Sequence, residues 1–179
     1  MKLFIFILIT LLTISCNKKD DENWSIFKIN SGDHSSSNSL EFTRKSTWQF
    51  KFQFDSSAIY TSVDPINQWD VNKLIGVSDG GLHQKNSARF GWRWLNGKLE
   101  ILAYTHWKGN FEFEKITDIE IGKEYTGTIQ FSDKYIFTCN GTIVEMRRDK
   151  NVQTNNYYLW PYFGGDETAP HDIKIKVNY

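Results

Sequence analysis

The sequence predicts an all-β protein, a two-sheet antiparallel β-sandwich. Three observations carry that prediction. Short runs alternate apolar and polar residues, the period of a half-buried strand. These runs follow one another at close spacing, joined by turns rich in Gly and Asn. No segment holds a helical period. Composition agrees: aromatic residues make up 16% of the chain, whereas Met and Pro number 2 and 3, a balance that favours strands. The 179 residues suffice for one domain with a sizeable core. Lys and Arg (21) balance Asp and Glu (21), so no global field recruits nucleic acid or anionic membrane.

The chain opens with Lys2 and an apolar run over residues 3–12. That run is too short to cross a bilayer, which takes about 20 residues, and matches a secretory signal peptide over 1–15. Its end, Leu12-Thr13-Ile14-Ser15-Cys16, resembles a lipobox, with Thr13 where lipoboxes usually hold leucine. Asn17-Lys18-Lys19-Asp20-Asp21-Glu22 resembles the lysine-plus-acidic export signal of Bacteroidota surface lipoproteins. The resemblance implies cleavage by signal peptidase II, acylation of Cys16, a lipidated tether over 16–23, and a domain over 24–179 displayed at the outer membrane. A diacylglycerol thioether plus an N-acyl chain is enough for stable attachment to the bilayer. The alternative is a secreted protein in which Cys16 is incidental. Cys139, in an apolar strand, is expected as a small buried free thiol.

Strands are expected at 24–29, 40–43 and 48–54. In the last, Trp48, Phe50, Phe52 and Phe54 face one side and Gln49, Lys51 and Gln53 the other. Residues 30–38 are a loop, and 55–71, with Asp64-Pro65, a longer one. Asp64, Asn67, Asp70 and Asn72 can offer oxygens to a structural calcium ion; they lack the spacing of an EF-hand loop, and turn-forming side chains explain them as well. A strand over 74–77 and a loop over 78–86 lead to the stretch 87–114, which organises the rest.

Asn96-Gly97 marks a two-residue hairpin turn, and a turn of that length sets the register. Trp94, Trp92, Phe90 and Ala88, opposite Leu99, Ile101, Ala103 and Thr105, form a core face. Arg93 opposite Glu100, Gly91 opposite Leu102, Arg89 opposite Tyr104, and Ser87 opposite His106 form a polar platform. A three-residue turn over 108–110 is expected to follow. It places Glu112 opposite His106 and Glu114 opposite Tyr104, adding two carboxylates to the platform and sending Phe111 and Phe113 to the core. Further strands are read at 125–131, 135–139 and 142–148, the last pair joined by Asn140-Gly141. An aromatic strand over 157–163 is interrupted by Pro161. The strand over 171–179 has Ile173, Ile175 and Val177 in phase, with His171 as a buried structural histidine.

This layout is similar to the concanavalin A-like jelly roll shared by lectins, laminarinase-type glucanases and several polysaccharide lyases. That resemblance implies a glycan groove on the concave face of one sheet. Arg89, Arg93, Tyr104, His106, Glu112 and Glu114 are its candidate ligand-binding residues, with Trp107, Trp160 and Tyr162 as stacking surfaces. The same side chains equally suit a solvated face laced by cross-strand pairs such as Arg93 with Glu100. Arg89, Tyr104 and His106 also match in residue type the catalytic complement of jelly-roll alginate lyases, for β-elimination from a uronate. The Gln-Ile-His triplet of those enzymes is absent, and Tyr162-Phe163-Gly164-Gly165 echoes their aromatic-Lys-Ala-Gly strand faintly. Glu112 and Glu114 in a Glu-x-Glu run fall short of the laminarinase Glu-x-Asp-x-Glu pattern, because Ile116 occupies the third acidic place.

Three functions follow: a surface lipoprotein that binds extracellular polysaccharide, a polysaccharide lyase, or an interaction subunit of an envelope complex without a glycan role. If the protein is an enzyme, a lyase fits better than a glycoside hydrolase. No cofactor motif, phosphate loop or zinc-ligand spacing is legible.

Overall fold

A computed structural model describes residues 23–36, 39–149 and 155–179. Residues 1–22, which hold the expected signal peptide, Cys16 and all but the last residue of the expected tether, lie outside the described residues. Among the described residues, twelve strands occur in chain order: β1 (Ser25–Ile29), β2 (Phe42–Thr43), β3 (Thr47–Phe54), β4 (Asn72–Ser78), β5 (Ser87–Leu95), β6 (Lys98–Trp107), β7 (Asn110–Ile119), β8 (Glu124–Phe131), β9 (Lys134–Cys139), β10 (Thr142–Arg147), β11 (Asn156–Leu159) and β12 (Ile173–Asn178). They form two six-stranded antiparallel sheets, ordered β1-β12-β3-β8-β9-β10 and β2-β11-β4-β5-β6-β7. This is the sandwich that the alternating runs predict.

Three hairpins turn on residue pairs that both have positive φ: Asn96-Gly97, Lys108-Gly109 and Asn140-Gly141. That geometry matches the right-handed twist of the flanking strands, and Asn and Gly tolerate it best. The alternation of β3 buries Trp48, Phe50, Phe52 and Phe54 against the second sheet. Ring centroids of Phe54 and Trp92 lie 5.1 Å apart and those of Phe52 and Phe90 6.3 Å apart. Gly127 on β8 leaves room for this packing, since a Cβ there would stand 2.8 Å from the Phe90 ring. Cys139 is a free, buried thiol, and burial pushes its pKa up to about 11.

A polar clamp joins the sheets at one end. Asp79, just after β4, accepts from the Tyr135 hydroxyl at 2.9 Å and from Arg148 Nε at 2.7 Å. Asp79 is buried, so the ion pair and hydrogen bond offset a large desolvation cost. His171 is half-buried, its Nε2 2.9 Å from the Ser57 carbonyl. The 55–71 loop contains two 3₁₀ turns, Ser56–Ala58 and Pro65–Trp69.

Two expectations need correction. The turn after β6 is the two-residue pair Lys108-Gly109, so Trp107 faces Asn110, His106 faces Phe111, Thr105 faces Glu112 and Tyr104 faces Phe113. Two neighbours hold that frame: the Asn86 side chain accepts from Lys108 N at 3.1 Å and the Lys85 carbonyl from Gly109 N at 2.9 Å. Regular pairing of the aromatic strand stops at Leu159; beyond Pro161, Tyr162 resumes as an isolated bridge to Lys73 and Ser35.

Candidate functional site

The register from Leu95↔Lys98 to Ser87↔His106 is the one that the Asn96-Gly97 turn predicts. Trp92, Phe90, Ile101 and Ala103 therefore face the core, while Arg89, Arg93, Tyr104 and His106 lie on the outer face of the second sheet. This face is not the exposed platform expected from the sequence. Arg89, Arg93 and Tyr104 are all buried, because neighbouring side chains and the segment around Trp69 and Val71 close over them. Val71, Leu102 and Tyr104 make a small apolar cluster there, separate from the main core.

Arg89 is the centre of the site. Gly76 faces it across β4, and a Cβ at Gly76 would lie 2.8 Å from the Arg89 Cβ. Its Nε is buried and has no hydrogen-bond partner among the described residues. Burial lowers its pKa to about 10 against the opposing pull of Tyr104, Tyr157 and Tyr162, the groups around it. A buried cation with an unsatisfied donor is costly unless an anion or acceptor meets it.

Tyr104 stacks on Phe111, with centroids 6.1 Å apart and planes within 5°, and meets His106 edge-on at 5.5 Å. Burial raises its pKa despite Arg89, so the phenol stays protonated at neutral pH. The Nδ1 of His106 lies 3.3 Å from Ser87 Oγ. Burial first, then Arg89, His83 and Lys73, lower the His106 pKa to about 4, which keeps the ring neutral at pH 7.

Three neighbours were not singled out as site residues by sequence reasoning. Lys73 Nζ lies 4.7 Å above the Tyr104 ring and 5.8 Å from that of Tyr162, and donates to the Gly164 carbonyl at 3.1 Å. Burial, then Arg89, lower its pKa to about 8. His83 Nδ1 is 2.7 Å from the Tyr157 hydroxyl, and burial and Arg89 lower its pKa too. The lysine was detectable as a lone charge in the otherwise uncharged run Asn72–Ser78; His83 and Tyr157 come from distant loop and strand positions and left no such signal. A cleft of about 410 Å³ lined by Leu82, His83, Gln84, Lys85, Gly109 and Tyr157 opens beside this group.

Other candidates lie elsewhere. Arg93 shares the outer face but is already engaged: its Nε donates to Glu100 at 2.7 Å and its NH1 to the Trp69 carbonyl at 2.8 Å, with Lys115 completing the Glu100 pair at 2.8 Å. Glu112 and Glu114 are not on this face, since the turn frame sends them to the other side of β7. There Glu112 pairs with Arg147 of the opposite sheet. Their places are taken by Phe111 and Phe113, both exposed. Phe113 and Trp69 flank the Arg93 guanidinium at 5.9 and 5.6 Å. Trp160 leaves the groove as well, because Pro161 breaks the alternation. It stacks on Phe27 at 5.4 Å and on Tyr158 at 5.5 Å, at the margin of the core. Tyr162 does reach the site, stacked on His34 at 5.2 Å. Trp107 lies under the Arg147 guanidinium at 4.3 Å.

Of the four side chains considered for calcium, three are engaged in loop hydrogen bonds. Asp64 accepts from Ile66 N, the Asn67 amide donates to Glu167, and Asn72 joins the Tyr60 hydroxyl to Gly164 N. Among the described residues, no three His, Cys, Asp or Glu side chains converge as a metal site.

No protein-family model matches the chain, and no curated protein is similar to it in sequence. Solved structures do share its fold. The alginate lyase from Pseudomonas aeruginosa superposes with a TM-score of 0.53 at 11% identity, over 76% of this chain and 63% of that one. The alginate lyase AlyC3 superposes with a TM-score of 0.55 at 12% identity, over 86% of this chain and 72% of that one. The chain thus spans less than two thirds of the Pseudomonas enzyme. A carbohydrate-binding module from Bacillus subtilis, CBM66, aligns more loosely, with a TM-score of 0.42 at 10% identity over 88% and 89% of the two chains. At such identities the likeness is one of fold, the jelly-roll sandwich.

Proposed function

We propose that this protein binds an extracellular polysaccharide bearing acidic groups across the outer face of its second sheet, with Arg89 receiving the acid group. The observation that carries this reading is the buried Arg89 guanidinium, whose Nε lacks a partner among the described residues while tyrosine, lysine and histidine side chains surround it. A carboxylate or sulfate at the exposed edge of the guanidinium would neutralise the charge. Exposed Phe111, Phe113 and Trp69 offer ring faces for sugar C–H groups along the same surface. The jelly-roll likeness to two alginate lyases supports a glycan ligand by analogy of fold. The lipobox-like Cys16 supports display at the outer membrane through a lipid anchor; incorporation of labelled palmitate, abolished in Cys16→Ala, tests that part.

The test of binding is electrophoresis of the purified protein through gels loaded with polyuronates, sulfated polymers or neutral glycans. Retardation by an acidic polymer, lost in Arg89→Met, supports the reading. Unaltered migration in every gel overturns it and favours an interaction subunit without a glycan role.

A second reading, β-elimination, is favoured by the pairing of neutral His106 with protonated Tyr104. With Nδ1 protonated toward Ser87, Nε2 of His106 carries the lone pair needed to take the proton α to a uronate carboxylate. Arg89 stabilises the charge that develops on the carboxylate. The C–H electrons form the new double bond, the bond to the glycosidic oxygen breaks, and the Tyr104 phenol protonates the leaving oxygen. New absorbance from unsaturated uronate supports this reading, and retardation without product removes it.

A further inference from the structure

We propose that Lys73 is a second cation of this site and sets its ligand preference, sharing one acidic group of the sugar with Arg89; this rests on the glycan reading above. Lys73 stands opposite Gly91 on β5 and Arg89 opposite Gly76 on β4, so the two cations are diagonal neighbours on one face. Such neighbours are about 7–8 Å apart at the backbone, within reach of long side chains. Gly91 itself has no side chain, and Val71 Cγ1 occupies the space over it, 2.4 Å from where a Cβ would stand, so an acid group shared by the two cations lies over the Val71 methyl.

The groups around Lys73 leave that role open. Arg89 on β5 repels it, and Asp70, just before β4, attracts it from a position against Gly165. On β6 the Tyr104 ring lies beneath it, with His106 near enough to feel its charge. Beyond β11, Tyr162 and the Gly164 carbonyl complete the surround. Two positive groups held together in a desolvated face disfavour each other, and Arg89 lowers the affinity of Lys73 for its proton. An oxyanion placed over them relieves that repulsion, with one oxygen toward the guanidinium and the other toward the ammonium. A neutral sugar does not. The site is therefore built for an acid group with two oxygens to share.

The consequence is a pH-dependent affinity. Between pH 7 and 9 the lysine, with its pKa near 8, loses its charge. Arg89, near 10, and Tyr104, above its usual value, keep their protons over most of that range, whereas His106, near 4, and His83, also lowered, are neutral throughout. Binding that needs the ammonium must weaken as pH rises.

The experiment measures affinity of the purified protein for a polyuronate at pH 7 and pH 9, for wild type, Lys73→Arg and Lys73→Gln, with thermal melts as a check of folding. Wild type should bind about tenfold more weakly at pH 9, the loss of a charge whose pKa lies one unit lower. Lys73→Arg should hold its affinity to within about twofold at both pH values, because guanidinium does not titrate there. Lys73→Gln should bind at pH 7 at least as weakly as wild type at pH 9. If Lys73→Gln fails to fold, the profile of Lys73→Arg decides the matter. Equal affinity of wild type at both pH values, or a pH profile in Lys73→Arg as steep as wild type, overturns the role of Lys73 and leaves acidic glycan binding standing. No binding by wild type at either pH overturns both.

Discussion

Arg89 and Arg93 lie on the same strand, face the same side and each leave 8% of their surface exposed, yet the protein treats them oppositely. Around Arg93 a carboxylate and a carbonyl are both engaged: Nε pairs with Glu100, which also holds Lys115, and Nη1 donates to the Trp69 carbonyl at the end of the sheet. Around Arg89, among the described residues, no carboxylate is among the groups that shift it, and the buried Nε has no hydrogen-bond partner. Equal burial thus conceals different purposes. A buried cation paired with a carboxylate holds structure together, whereas a buried one without such a pair keeps unfavourable energy that a ligand can relieve.

Breaking each side of that contrast should give effects of decreasing size. The inner face sets the scale: Trp92→Ala empties a fully buried site between Phe54, Tyr60 and Phe163 and should lower stability by about 4 kcal/mol in urea titrations. Arg93→Met should follow, at about 3 kcal/mol by the same measurement, because it strands Glu100 as a buried carboxylate with Lys115 as its remaining partner.

The histidine beside Arg89 gives a pH signature of the unpaired end. His106 has its native pKa near 4, below the 6.5 of an unfolded chain. The unfolded state then binds more protons between those values, so stability is fully present above pH 6.5 and is lost as pH falls toward 4. Allowing for its partial exposure, this contribution is about 1–2 kcal/mol, and His106→Asn should flatten that part of the profile in melts at stepped pH.

Arg89→Met should change stability by no more than about 1 kcal/mol, with a gain as the expected sign, because an unpaired buried charge is removed. Retention in polyuronate gels should disappear in the same variant. A large loss of stability with retention intact would make Arg89 a structural residue like its neighbour and erase the contrast. The smallest effect belongs to Glu112→Gln. That cross-sheet pair is partly exposed, so less than about 1 kcal/mol should be lost and glycan retention should not change.

The legible parts of this arrangement share a cause. Asn96-Gly97 admits one two-residue turn, and such a turn sets every pair from Leu95 to His106, so the outward positions of Arg89, Tyr104 and His106 followed from local chemistry. Lys108-Gly109-Asn110 admits more than one turn frame. Choosing among them by keeping Glu112 and Glu114 out of the core failed, because this end of β7 overhangs the core and Arg147 meets Glu112 there. Trp160 was misplaced for a similar local reason: Pro161 disrupts the alternation by which its face was inferred. Lys73 carried a visible signal, a lone lysine in an apolar strand, but its meaning depended on which strand lay beside β5.

By itself, the sequence determined the all-β class, the positions of most strands and the register of the central hairpin. Those properties depend on alternation and turn stereochemistry, which act over a few residues. Tertiary structure alone decided which arginine is paired, which face carries the glutamates, and that Lys73, His83, Tyr157 and Tyr162 gather around Arg89. These depend on strand order and on loops distant in the chain, and pairing or burial of a charge is a property of the groups that surround it in space.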